Sequence, residues 1–282
     1  MSLTYPNIVP ENNLRLPDAL TIRHGPAPLL ARFVLEGDKT ARALGLRLRL
    51  RNDFEELVYL NREHVDRGSW FRLVNMFNPE LSEVSQENGY WLSGETEDGE
   101  IVCSWAGRVF YWPQSSLADE ARGFFYGRDE GQPCVVTAPM APEISGVVLC
   151  GGSTWVRPDL RRQGLSKLMP RIGRACALAR WPIDWGIGYV SQILIDQGVA
   201  SGYGYRHFSH SIFYPGSPWG ELEVVVAHNT ADECYDDLAL FMESGLSPST
   251  EASQSRSRST TLDVEVTNTS SVGVFQGNKS LS

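Results

Sequence analysis

Ser153-Thr154-Trp155-Val156-Arg157-Pro158-Asp159-Leu160-Arg161-Arg162-Gln163-Gly164-Leu165-Ser166-Lys167-Leu168 joins three kinds of pattern in sixteen residues. It opens as the end of an apolar run, 144–156, which reads as a strand. Gly151-Gly152 inside that run marks a bulge or a close backbone approach. A turn rich in Arg follows. From Leu165 the period becomes helical, with Leu165, Leu168, Met169, Ile172, Cys176 and Ala179 on one face. Pro170 sits early in that helix, where it costs less than at mid-helix. The loop is small and basic. Gly164 and Ser166 let a backbone approach a ligand, and Arg161, Arg162 and Lys167 add full charges. A helix N-terminus offers unpaired N–H groups and about half a positive charge. Together these are what a pyrophosphate needs. The same residues also make an ordinary basic turn before an amphipathic helix.

On either side the order is mixed β and α. Leu44, Leu46, Leu48 and Leu50 alternate with Gly45, Arg47, Arg49 and Arg51, which predicts a strand over 44–51. Asn52 or Asp53 caps a helix carrying Phe54, Leu57, Val58, Asn61 and Val65. A second short helix is expected over 70–77, strands over 90–93 and 101–112, and a helix over 117–122 inside an insertion, 113–142. Beyond the loop helix come a strand over 183–190, a short helix over 192–201, strands over 208–213 and 222–227, and a helix over 232–243. Residues 1–40 read as an irregular, proline-containing arm with one strand at 31–35. Residues 41–245 read as the domain. Residues 246–282 form a Ser/Thr-rich tail expected to be disordered.

The loop segment resembles the GNAT N-acetyltransferase superfamily. The family's cofactor motif, R/Q-x-x-G-x-G/A after its fourth strand, is met by Arg161, Gly164 and Ser166, with Ser where Gly or Ala is usual. Val156-Arg157-Pro158 is similar to the family's strand exit. The order of elements agrees over about 44–226, and the motif lies in this segment alone. The resemblance implies an α/β fold with a central mixed sheet flanked by helices, and acetyl-coenzyme A as cosubstrate. It implies backbone amides around Gln163, Gly164 and Ser166 on the pyrophosphate, with Arg161, Arg162 and Lys167 beside them. Trp155 and Val156 would pair with the pantetheine arm, and a bulge at Gly151-Gly152 would splay this strand from the next. The acceptor would be an amine of a small molecule or peptide.

Acyl transfer also needs the amine deprotonated, the oxyanion held and the thiolate protonated. The family's thiolate acid is a Tyr a few residues before a Gly-Phe pair. The nearest pair here is Gly204-Tyr205, and the family's Tyr position then falls on Ala200. Tyr203 is the nearest substitute and the candidate catalytic residue, with Tyr189 as another. Glu143 and Asp184 are candidate bases. The departure at Ala200 keeps open a non-catalytic acyl-coenzyme A binder that acts as sensor or scaffold.

Composition narrows the rest. The 282 residues carry a formal charge of −9, which disfavours a general nucleic-acid binder. The five cysteines are widely spaced without C-x-x-C, so neither a disulfide framework nor a zinc site is expected. His207 and His210, three apart in a strand, point to opposite faces, so no metal pair is expected. The N-terminus does not read as a signal peptide, and no run reaches the ~20 apolar residues of a membrane span. These readings predict a cytoplasmic protein. Oligomeric state is left open. Trp91, Trp105, Phe110 and Trp112 predict an aromatic core or, alternatively, an apolar acceptor pocket.

Overall fold

The computed structural model describes residues 15–127 and 132–245. The expectations for 1–14 and for the Ser/Thr-rich stretch 246–282 lie outside the described residues. The helices are α1 (Leu16–Ala19), α2 (Ala27–Ala43), α3 (Phe54–Asp66), α4 (Leu117–Glu120), α5 (Arg122–Tyr126), α6 (Leu165–Arg180), α7 (Gln192–Asp196) and α8 (Ala231–Glu243). The strands are β1 (Arg47–Arg51), β2 (Gly89–Glu95), β3 (Ile101–Trp112), β4 (Val135–Val136), β5 (Gly146–Val156), β6 (Trp185–Val190), β7 (His207–Ser217) and β8 (Gly220–Thr230). They form one eight-stranded sheet in the order β1-β2-β3-β5-β6-β8-β7-β4. Every pairing is antiparallel except β5 with β6. The fold is therefore α/β with a central mixed sheet and helices on both sides. Counted from the β1 edge, β5 is the fourth strand, and the basic loop follows it.

The N-terminal expectation is corrected. Residues 27–43 form a 17-residue helix, with no strand at 31–35. Pro26 and Pro28 fall at the N-cap and first turn, where a missing N–H costs nothing. Leu30, Phe33, Val34, Gly37, Asp38 and Ala41 then recur at helical spacing and are buried. Gly37 meets α6, since a Cβ there would stand 2.8 Å from Ile172.

The sheet separates two cores. One holds α2, α6 and α8, and the other holds α3, α5 and the irregular segment around 70–84. The four aromatic residues read as one cluster are split by it: Trp105 faces α6, while Trp91, Phe110 and Trp112 face the other way. The leucines of β1 enter the first core. On its other face Arg49 and Arg51 donate to Glu95 at 2.9 and 2.8 Å. Asp53 caps α3, accepting from the N–H groups of Glu55 and Glu56 at 2.9 and 3.1 Å.

The helix expected over 70–77 is only a short 3₁₀ turn at Asn75–Phe77. The side chain of Asn61 supplies the missing bonds, donating to Phe71 O at 2.7 Å and accepting from Leu73 N at 2.9 Å. The helix expected over 192–201 breaks at Gly198, which has φ 70°, and resumes as a 3₁₀ turn at Ala200–Tyr203.

The loop helix α6 is set by Trp105, which is 1% exposed and walled by glycines. A Cβ at Gly107, Gly151 or Gly173 would lie 2.6, 2.7 or 2.2 Å from its ring. Gly173 lies in mid-helix, where Gly is a poor former, and the close approach to Trp105 accounts for it. Gly173→Ala is expected to lower stability by about 1–3 kcal/mol through overpacking, although Ala favours helix by roughly 1 kcal/mol. A shift of the urea midpoint to higher concentration would refute this packing.

Candidate functional site

The parallel pairing of β5 with β6 runs from Val148↔Trp185 to Gly151↔Gly188 and stops, although β5 continues to Val156 and β6 to Val190. The cause is visible on β5. Against β3, Ser104 pairs with Trp155 and Ala106 with Gly152, so Ser153 and Thr154 together oppose Trp105. That is a bulge, and Ser153 takes the left-handed conformation with φ 52°. It lies one residue beyond the expected Gly151-Gly152. From Gly152 onward β5 has no strand on its β6 side among the described residues, so its backbone edge is unpaired where the two strands part.

That edge runs into the basic loop. Arg157 donates to Asp159 at 2.7 and 2.8 Å and to Glu100 at 2.5 Å, anchoring the turn. Arg161 folds back, its Nε donating to Val156 O at 3.1 Å and its Nη2 to Ser69 O at 3.3 Å. Arg162 has φ 64° and Gly164 φ 81°, with Gln163 between them outside that region. Alternation between αR and αL is the backbone form that turns successive N–H groups to one side and binds anions. Gly164 is also the N-cap of α6 and brings no capping side chain, whereas Asp53 and Thr230 cap α3 and α8. The N–H groups of Gly164, Leu165 and Ser166 have no hydrogen-bond partner among the described residues. Arg161, Arg162 and Lys167 are exposed, and Gln163, Gly164 and Ser166 half-buried. Pro170 remains inside α6 and cannot donate to Ser166 O.

Of the strand residues, Val156 is buried in the α6 core and Trp155 in the opposite one. The Trp155 ring stacks on Trp70 at 4.9 Å and approaches His64 at 4.2 Å, and its Nε1 donates to Ser69 O at 3.1 Å. Ser69 O therefore ties together strand and loop. Burial, aided by the Arg67 charge, holds His64 below the usual imidazole range, which favours the neutral ring. The sequence reading missed Ser69 and His64. Their signal was weak: a helix end at Gly68-Ser69 with no motif of its own.

Tyr203 ends the 3₁₀ turn Ala200–Tyr203, which packs on α6. Arg171 donates to Gly202 O at 2.7 Å and Arg174 to Tyr203 O at 2.7 Å. Both arginines share Asp237 of α8, at 2.9 and 3.1 Å. Gly204 turns with φ 79°, and a Cβ there would lie 2.3 Å from Asp237 Oδ2, which explains the Gly of Gly204-Tyr205. The Tyr205 ring lies under Arg174 at 4.8 Å, and its hydroxyl donates to Ile187 O at 2.9 Å. Tyr203 belongs to a small cluster with Val190 at the end of β6 and with Ala200. Burial pushes its phenol up, and its hydroxyl has no partner among the described residues.

Tyr189, next after Gly188, lies on the other face of the sheet, packed on Phe124 and Phe125, with its hydroxyl buried. The candidate bases are elsewhere. Asp184 accepts from Val147 N at 2.8 Å at the far end of β5, and Glu143 is exposed beyond that same end. Burial pushes the thiols of Cys103 and Cys176 up to about 12, which disfavours thiolate nucleophiles there. No group of three His, Cys, Asp or Glu residues able to hold a metal ion occurs among the described residues. No helix among them is long and apolar enough to cross a membrane.

No family model matches the chain. No curated protein matches it either. Among solved structures it is similar to the aminoglycoside acetyltransferase AAC(6')-Ib in complex with coenzyme A and kanamycin. Identity there is 16%, with 66% of this chain and 96% of that one covered and a TM-score of 0.38. A phosphinothricin acetyltransferase from Sinorhizobium meliloti in complex with acetyl-coenzyme A gives 12% identity, 65% and 88% coverage, and a TM-score of 0.38. Arabidopsis thaliana NAA60 in complex with a bisubstrate analogue gives 11%, 65% and 97%, and 0.40. At these identities and scores the ligands named are facts about those proteins, and the functional case for this chain rests on its own residues.

Proposed function

We propose that the protein is a divergent GNAT-type acyltransferase that binds acetyl-coenzyme A and passes the acetyl group to an amine of a small molecule or peptide. The observation that carries this reading is the coupling of two features. An unpaired strand edge, opened where β5 leaves β6 after Gly151, leads directly into a loop with free N–H groups at Gly164, Leu165 and Ser166. An extended amide chain adds to such an edge as a strand would. A pyrophosphate fits the loop, where Arg162 and Lys167 add charge and Arg161 braces the turn with two nitrogens and offers Nη1. In the reaction the amine nitrogen attacks the thioester carbonyl. A C–N bond forms, the C–S bond breaks, the amine loses a proton and the leaving thiolate takes one. We assign Tyr203 to that last transfer.

The first test is thermal shift with acetyl-coenzyme A, coenzyme A, ATP and NAD. Only the first two are expected to stabilise the chain, by an amount set by mass action. Equal stabilisation by ATP or NAD would overturn the reading. A second reading, cofactor binding without catalysis, is favoured by Ala200 standing where the family has its Tyr. Coenzyme A binding with no thiol released to any amine class would select it.

A further inference from the structure

Arg171 and Arg174 stand on the buried side of α6, 6% and 0% exposed. Two guanidinium charges out of water are costly unless a carboxylate and further hydrogen bonds meet them. Asp237 of α8, half-buried, is the one carboxylate that either of them bonds among the described residues. It accepts from Arg171 at two points, Nε and Nη2, each at 2.9 Å, and from Arg174 Nη2 at 3.1 Å. Phe241, one turn further along α8, lies against the Arg171 guanidinium at 4.1 Å, and Tyr205 against that of Arg174 at 4.8 Å. A two-point carboxylate and a ring against the guanidinium fix the orientation of Arg171.

The two arginines in turn hold the segment 200–203. Arg171 Nη1 donates to Gly202 O at 2.7 Å and Arg174 Nη2 to Tyr203 O at 2.7 Å. These are successive carbonyls at the end of a 3₁₀ turn, where the turn has no partners of its own to give. The side chain of Asn229 donates to the next carbonyl, Gly204 O, at 3.0 Å. The chain before the turn constrains it little. Helix α7 is five residues long, and Gly198 beyond it has φ 70° with nothing within 4 Å of a Cβ position. The backbone at Tyr203 is thus held from α8, through two arginines of α6.

We propose that Asp237 is a positioning residue for the transfer. By orienting Arg171 and Arg174 it fixes the backbone of Gly202 and Tyr203, and so the place of the phenol assigned to the leaving thiolate. Asp237 acts through that backbone and gives no group to the reaction itself. The catalytic consequence rests on the acyl-transfer reading, and the grip on the turn does not.

The test is Asp237→Asn in the full chain, alone and combined with Tyr203→Phe, read by steady-state kinetics and amide hydrogen exchange. Asn keeps the shape and one acceptor, and loses the charge and the second acceptor. Turnover is expected to fall about 10²-fold, the loss that follows a displacement of about 1 Å, with the KM for acetyl-coenzyme A within about 3-fold. In Tyr203→Phe, where the phenol is already gone, Asp237→Asn should slow turnover no further. Exchange over 199–205 should rise while α6 keeps its protection. A merely structural aspartate would slow both backgrounds alike. Arg171→Lys keeps a charge beside Asp237 and loses the bond to Gly202 O. It is expected to show the same split, and decides the matter should Asp237→Asn not fold. Equal losses in both backgrounds, a raised KM with turnover kept, or unchanged exchange over 199–205 would overturn the proposal. If the native chain releases no thiol to any amine, the acyl-transfer reading falls instead, and raised exchange still upholds the grip of Asp237 on the turn.

Discussion

Gly164→Asp is expected to abolish acetyl-coenzyme A binding while leaving the fold in place. Gly164 has φ 81° and nothing within 4 Å of the position a Cβ would take, so the constraint on it is conformational. Asp and Asn tolerate that conformation better than other side chains. An aspartate there would put a negative charge beside the N–H groups of Gly164, Leu165 and Ser166, where the diphosphate is proposed to sit. Two unit charges about 4 Å apart repel by about 4 kcal/mol at an effective dielectric constant near 20, or ~10³-fold in affinity. Gly164→Asn is the matched control, with the same shape and strain and no charge. It is expected to bind within about 10-fold of the native chain, since its strain is shared and its repulsion absent. Calorimetric titration of both variants separates charge from strain. If Asp and Asn weaken binding equally, the loop does not hold the diphosphate.

The parts of this molecule that depend on local pattern are legible in its sequence. The alternation of leucine and arginine gives β1, and the change of period at Gly164 gives the loop and α6 within a residue or two. The prolines at 26 and 28 mislead, because the same residue breaks a helix inside and starts one at its first turn. Two features of the candidate site have no local signature. The end of β5–β6 pairing joins strands some 35 residues apart and follows from a bulge that glycines only hint at. The grip of Arg171 and Arg174 on the turn before Gly204 depends on Asp237, more than 60 residues on.

Tyr203→Phe is expected to cost about 10²–10⁴-fold in turnover with cofactor affinity nearly unchanged, the loss usual for a positioned proton donor. The substitution removes one oxygen and keeps the ring that packs with Val190 and Ala200. That oxygen makes no hydrogen bond to the described residues, so its removal breaks no internal contact and stability should hold. Burial pushes the phenol above its ordinary range, which keeps it protonated at neutral pH, as an acid must be. Its backbone is fixed by Arg174 at 2.7 Å, and the preceding Gly202 by Arg171, both from the helix whose first turn is proposed to hold the diphosphate. One helix thus sets both ends of the proposed cofactor path. Tyr189 lies on the opposite face of the sheet, packed on Phe124, and Tyr189→Phe is the comparison. Single-turnover thiol release for the two variants assigns the proton: a loss confined to Tyr203→Phe places it on Tyr203. Full turnover in Tyr203→Phe removes that residue from the chemistry.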